Sequence, residues 1–164
     1  MIKKETKKAD VRRGNERTER PEQRKPVTVL HVDDDPNDTA LLQVACAKAD
    51  VDFEIHNVGD GDQVIDYLVG TGKYADRTRY RLPGLVLLDL KMPRVEGLEV
   101  LKWIRSNSTL RDLPVIVLSG SELQDDIRKA YAGGANSYLV KPPSFNSLIS
   151  LLREIDARLP SVRL

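Results

Sequence analysis

From Val27 onward, short β-rich apolar runs alternate with stretches whose apolar residues recur at helical spacing. Five such pairs can be counted, with strands predicted at Val27–Val32, Phe53–Val58, 84–88, 114–118 and Ser137–Val140. Three of these runs lack polar alternation, as expected of strands buried on both faces, and the repeated strand-then-helix order predicts a parallel sheet wrapped by helices. The helix starts carry chemical marks. Asp35 can cap a helix opening at Pro36, with Asp38 at the capping-box position. Ser121 stands in the same relation to Gln124, and Ser144 precedes the apolar series Leu148, Leu151, Leu152 and Ile155. Gly70 and the Gly133-Gly134 pair mark helix ends. Between Gly97 and Ser106, the residues Leu98, Leu101 and Ile104 share one face and predict a third, inward-packed helix.

Residues 1–26 have a different texture. They carry ten Lys/Arg against five Asp/Glu and only four apolar residues, too few to repay ordering, so a disordered basic arm is expected there. The arm's surplus of five positive charges leaves the remainder at −4, within a total of +1. Such an arm suits an acidic surface or nucleic acid as partner, or simply a solvated extension. No helix-turn-helix or stacking-aromatic platform accompanies it. At 164 residues and 40% hydrophobic composition the chain has material for one core. No apolar run approaches the roughly 20 residues of a membrane span, and the charged N-terminus is unlike a secretory signal, so a soluble cytoplasmic protein is expected. One cysteine, Cys46, and two histidines leave no disulfide framework or Cys/His zinc site.

In an open parallel sheet the functional groups gather beyond the carboxyl ends of the strands. The predicted first strand runs into Asp33-Asp34-Asp35, the third into Asp89 and Lys91-Met92-Pro93, the fourth into Ser119-Gly120 and the fifth into Lys141-Pro142. Taken singly, each has an ordinary explanation as a helix cap, a turn residue or a surface amine. Their joint placement on one rim is what points to chemistry. Two carboxylates about 4 Å apart repel by about 4 kcal/mol at an effective dielectric near 20, so converging Asp33, Asp34 and Asp89 call for a cation. All-oxygen ligands with retained waters favour Mg²⁺. A carboxylate beside such an ion can attack phosphorus, which makes Asp89 the candidate nucleophile. Mg²⁺ on Asp34, Asp89 and a main-chain carbonyl is expected to take one phosphoryl oxygen, Lys141 a second, and the Ser119 hydroxyl with the Gly120 amide a third. Asp33 is expected to orient the metal or its waters, and the missing side chain at Gly120 to leave the phosphoryl group room.

The set VLHVDDD, LVLLDLKMP, VIVLSG and SYLVKP, in this order, resembles the receiver domain of two-component response regulators over residues 27–159. The resemblance implies a flavodoxin-like (βα)5 fold of the α/β class, a doubly wound parallel sheet in order 2-1-3-4-5 between two helical layers. It implies Asp33 and Asp34 as the acidic pair, Asp89 as phosphoacceptor, Lys91 as donor of the metal-binding carbonyl, Ser119 and Tyr138 as switch residues and Lys141 as the phosphoryl-binding lysine. The segment 66–83 leading into GLVLLDLKMP is similar to stand-alone receivers that serve phytochrome-type histidine kinases. Lys91 and Ser121 flank the expected path of the hydrolytic water and should tune phosphoryl lifetime. Lys91 either shields the acyl phosphate or polarises the water. A cis bond before Pro142 and a homodimer through the last strand and helix are further implications. After residue 159 only a short tail, 160–164, is left, too short for a DNA-binding output domain. The function expected is thus a phosphorylation switch fed by a sensor histidine kinase, altering the face of the fourth helix, fifth strand and fifth helix, and not an enzyme in the ordinary sense. Two rivals are a receiver-like module that works without phosphate and a haloacid-dehalogenase-type phosphatase with Asp33 as nucleophile.

Overall fold

The computed structural model describes residues 25–92 and 95–162, with side chains through Leu159. The basic arm thus lies almost wholly outside the described residues. The elements run β1 (Val27–Val32), α1 (Pro36–Ala49), β2 (Phe53–Val58), α2 (Gly61–Val69), a short 3-10 turn (Gly72–Tyr74), β3 (Leu85–Leu88), α3 (Gly97–Ser106), β4 (Val115–Ser119), α4 (Gln124–Ala132), β5 (Ser137–Val140) and α5 (Phe145–Val162). All strands are parallel, in the order β2-β1-β3-β4-β5. The expected topology is therefore observed.

Strand alternation divides the core into two layers. Leu30, Val32, Val86, Leu88, Val115 and Val117 face α2, α3 and α4, where Tyr67, Leu101 and Ile104 are fully buried. Val29, Leu85 and Leu87 face α1 and α5, meeting Leu42, Ala45, Leu148, Leu152 and Ile155. Both faces of β3 and β4 are thus covered by helices, which explains their unbroken apolar runs, whereas β1 also carries the buried polar Thr28 and His31; each fully buried leucine contributes about 1.5–3 kcal/mol. Among the described residues no helix is long and apolar enough to cross a membrane.

Most helix ends are as read. The Asp35 carboxylate accepts from the Asn37 amide at 2.8 Å with Pro36 at the first helical position. Ser144 Oγ accepts from the Ser147 amide at 3.1 Å. Gly70 closes α2 at φ 81°, in the left-handed region. Four expectations shift. Gly84 lies just outside β3, though its amide donates to the Thr28 carbonyl at 2.8 Å and so still sets the register. Pro114, lacking an N–H, precedes β4, which instead extends to Ser119. Leu123, not Ser121, stands at the cap of α4, because the Ser121 hydroxyl turns to Asp126 Oδ2 at 2.5 Å. The peptide bond before Pro142 is trans, as is every other among the described residues. Helix α5 also continues past residue 159, to Val162.

Candidate functional site

The parallel register brings the strand ends to one rim. Val32 pairs with Leu88, so Asp33 and Asp89 emerge side by side, and the Asp89 amide donates to the Val32 carbonyl at 2.9 Å. Across the sheet the Lys141 amide donates to the Ser119 carbonyl at 2.8 Å, placing the lysine at the same level. Gly97 allows α3 to start directly under this rim: a Cβ there would stand 2.3 Å from the Asp89 carbonyl oxygen.

Carboxylate oxygens of Asp33, Asp34 and Asp89 lie within 4.8 Å of one another, Asp33 and Asp89 buried and Asp34 exposed. Burial raises the Asp89 carboxyl above its ordinary value, opposed by the Lys141 charge and the Lys91 amide, which donates to Asp89 Oδ1 at 3.3 Å. Both oxygens of Asp33 are engaged, Oδ1 by the Asp35 amide at 2.9 Å and Oδ2 by Lys141 Nζ at 2.7 Å. That suits a fixed charge that orients its neighbours better than a nucleophile. The donor set of three carboxylates without thiolate or imidazole fits a hard, oxygen-seeking divalent ion.

Lys141 Nζ also reaches Asp38 Oδ2 at 2.6 Å and Asp89 Oδ2 at 3.4 Å. Burial of the ammonium pulls its pKa down, but the hydrogen bonds to Asp33 and Asp38 and the charges of Asp89 and Asp33 outweigh it, and the net shift is upward. Lys141 is therefore a permanent cation here. Behind Asp33, burial holds the His31 imidazole down to about 4 against the pull of the Asp33 charge, so it is neutral at pH 7. The Asn57 amide nitrogen donates to the His31 and Asp33 carbonyls at 3.1 and 3.2 Å and anchors this strand end.

On the other side of the rim, Ser119 is fully buried and its Oγ accepts from the Ser121 amide at 3.3 Å. Tyr138 is also buried, its hydroxyl donating to the Ser121 carbonyl at 2.8 Å. A ring expected to enter space vacated by Ser119 thus already lies inward. Gly120 is exposed, and a Cβ there would meet nothing within 4 Å. The Lys91 side chain is exposed to solvent. Asp33, Asp34, Asp89, Lys91, Ser119, Gly120, Ser121 and Lys141 therefore stand at the carboxyl end of the sheet, whereas Tyr138 lies lower, opposite Val117 in β5, and reaches the rim through its hydroxyl. Two others were missed. Asp38 had been assigned to the helix cap, and His31 looked like an ordinary strand position. For Asp38 the available signal is its place in the first turn of α1, the helix that directly follows Asp33 at the end of β1.

A family model described as the response regulator receiver domain matches residues 29–153. The probable methanogenesis regulatory protein FilR2 of Methanothrix harundinacea is 38% identical over 133 residues, which are 79% of this chain and 81% of that protein. The phosphorylated cyanobacterial phytochrome response regulator RcpA superposes with a TM-score of 0.74 at 35% identity, covering 83% of this chain and 95% of that one. The Mn²⁺-bound form of the response regulator Rcp1, a protein of Synechocystis, gives a TM-score of 0.70 at 32% identity, covering 80% and 93%.

Proposed function

Because the chain belongs to the response regulator receiver family, we propose that it accepts a phosphoryl group on Asp89 from a phosphohistidine of a sensor histidine kinase of the phytochrome type. The observation that carries this is the meeting of Asp33, Asp34 and Asp89 within 4.8 Å, with the Lys141 ammonium 3.4 Å from Asp89. RcpA, a phytochrome response regulator, has been seen phosphorylated, and Rcp1 has been seen holding Mn²⁺; both support the same reading here.

Asp34, Asp89 and the Lys91 carbonyl would hold Mg²⁺, with Asp33 orienting it or its waters. When bound, the ion neutralises the carboxylates and draws charge from one phosphoryl oxygen. Asp89 supplies the electron pair for the new P–O bond while the P–N bond to the imidazole breaks, and the departing imidazole takes a proton from water. Lys141 stabilises a second oxygen as charge spreads, and the Ser119 hydroxyl with the Gly120 amide a third. As the Ser119 hydroxyl moves to donate to that oxygen, the bond its Oγ accepts from the Ser121 amide is drawn along or stretched. The loop that carries Ser121 also holds the Tyr138 hydroxyl, so the new charge is transmitted by loosening or remaking the Tyr138–Ser121 bond, and the face of α4, β5 and α5 changes with it. Lys91 and Ser121 set how long the acyl phosphate lasts.

In this reading residues 27–159 are the receiver unit, flanked by the basic arm and a short tail, and the exchange takes place in the cytoplasm. A second copy pairs through β5 and α5, where Val140 is exposed on the edge strand. The deciding experiment adds acetyl phosphate or phosphoramidate with Mg²⁺ and weighs the intact chain. Wild type should gain one phosphoryl mass and Asp89→Asn none. No gain in wild type, or an equal gain in the variant, overturns the proposal.

A further inference from the structure

The Lys141 ammonium has three carboxylate neighbours, and it sits closest to the two that do not accept phosphate in the reading above. Asp38 Oδ2 is at 2.6 Å, Asp33 Oδ2 at 2.7 Å and Asp89 Oδ2 at 3.4 Å. Of these, Asp33 is buried and pinned by the Asp35 amide, whereas the Asp38 side chain is 37% exposed and free to be rehydrated. Asp38 and Lys141 both line a cavity of about 60 Å³ between α1 and α5, with Leu41, Leu42, Pro142 and Leu148. There is room beside the pair for the side chains to part.

We infer that Asp38 is a positioning residue that parks Lys141, and that it competes with the phosphoryl oxygens for the lysine. An ammonium has three N–H donors and no more. When a phosphoryl group stands on Asp89, the donor now aimed at Asp89 passes to a phosphoryl oxygen, and Lys141 can move closer or offer a second N–H only by releasing Asp33 or Asp38. Asp38 is the partner whose release costs least, because water can replace the lysine there, whereas Asp33 would be left buried and unpaired. Before phosphorylation, Asp38 keeps the lysine extended across the rim, nearer to itself than to Asp89. Afterwards it pulls the lysine back. Its charge therefore works against retention of the phosphoryl group, and the ion pair acts as an opposing spring built into the first turn of α1.

This inference rests on the phosphoacceptor reading of Asp89 and is separable from it. The test measures beryllofluoride, an acyl-phosphate mimic, binding to the full chain at saturating Mg²⁺ by calorimetry, for wild type, Asp38→Asn, Lys141→Gln and the double variant. Wild type that binds no beryllofluoride sinks the phosphoacceptor reading itself. Given binding by wild type, Asp38→Asn should bind about two- to fivefold more tightly, the range of a half-exposed ion pair. The gain should vanish when the same substitution is made beside Lys141→Gln. Equal or weaker binding by Asp38→Asn overturns the inference. So does an equal gain in both backgrounds, which would make the effect one of net charge and not of the lysine. Asp38→Glu keeps the charge and should bind as wild type does.

Discussion

The two walls that flank Asp89 are built from different materials. On the α1 side the contacts are ionic and shared: Lys141 spans Asp33, Asp38 and Asp89, three carboxylates within hydrogen-bond reach of one nitrogen. On the α4 side they are neutral and serial, the Ser121 amide on Ser119 Oγ and the Tyr138 hydroxyl on the Ser121 carbonyl. An ionic wall feels added charge before any atom moves, since Coulomb energy falls only as the inverse of distance. Neutral hydrogen bonds lose their strength within a few tenths of an ångström and with modest misalignment. One wall is suited to stabilising a phosphoryl group and the other to reporting that it has arrived. In the proposed phosphoacceptor reading, charge is sensed where lysine sits, and shape changes where serine and tyrosine sit.

The sharpest way to break this division is Lys141→Ala. It removes the only cation among the described residues that bridges the cluster, and phosphoryl uptake from acetyl phosphate should fall about 10- to 100-fold, the worth of a charge-assisted hydrogen bond. The same variant should lose more thermal stability in a chelator than in Mg²⁺, because a divalent ion can take over part of the neutralisation. An equal drop in melting temperature from wild type to Lys141→Ala in the two buffers would show that Lys141 is not what holds the carboxylates together. Tyr138→Phe tests the other wall. It leaves the buried Ser121 carbonyl short of a donor and should cost about 1 kcal/mol in a denaturant titration, with phosphoryl uptake within about twofold of wild type. Uptake reduced as far as in Lys141→Ala would erase the distinction between sensing and reporting.

The division also explains which parts of the molecule could be read from residue order. Strand ends were legible because buried parallel strands are unbroken apolar runs that stop at a polar residue, so Asp33, Asp89, Ser119 and Lys141 declared themselves together. Caps were legible where a side chain has one obvious use, as at Asp35 and Ser144. Ser121 and Asp38 have two uses each, and tertiary geometry chose the one that local spacing does not reveal: Ser121 bonds Asp126, and Asp38 takes the lysine. The segment after α2 shows a similar limit. The rings of Tyr67, Tyr74 and Tyr80 pack edge to face or tilted, at centroid distances of 5.0 to 6.0 Å. What ties that segment down is Arg77, whose guanidinium donates to the Tyr67, Leu68 and Tyr80 carbonyls at 2.7, 2.7 and 3.0 Å. No spacing rule singles out an arginine for three backbone acceptors.

The smallest effect concerns how firmly each wall holds α1. Cys46 lies on the buried face of this helix, and burial pushes its thiol up to about 11 from an ordinary value of 9.0. The thiol form is thus favoured by folding. The raised value means that this contribution to stability is complete below the unfolded-chain pKa and is lost as pH rises towards about 11. At pH 8 the native thiol should therefore alkylate about 100-fold or more slowly than in the unfolded chain, through the low thiolate fraction and the restricted access together. Direct labelling of the native protein should quicken about tenfold per pH unit between 8 and 10, because only the thiolate reacts. Lys141 ties the first turn of α1 to the end of β5, so Lys141→Ala should raise the labelling rate at pH 8 by about two- to fourfold through local opening, whereas Tyr138→Phe, acting across the sheet, should change it less. If Tyr138→Phe opens α1 as much as Lys141→Ala does, the two walls are one mechanical unit. Their different chemistry would then divide no labour.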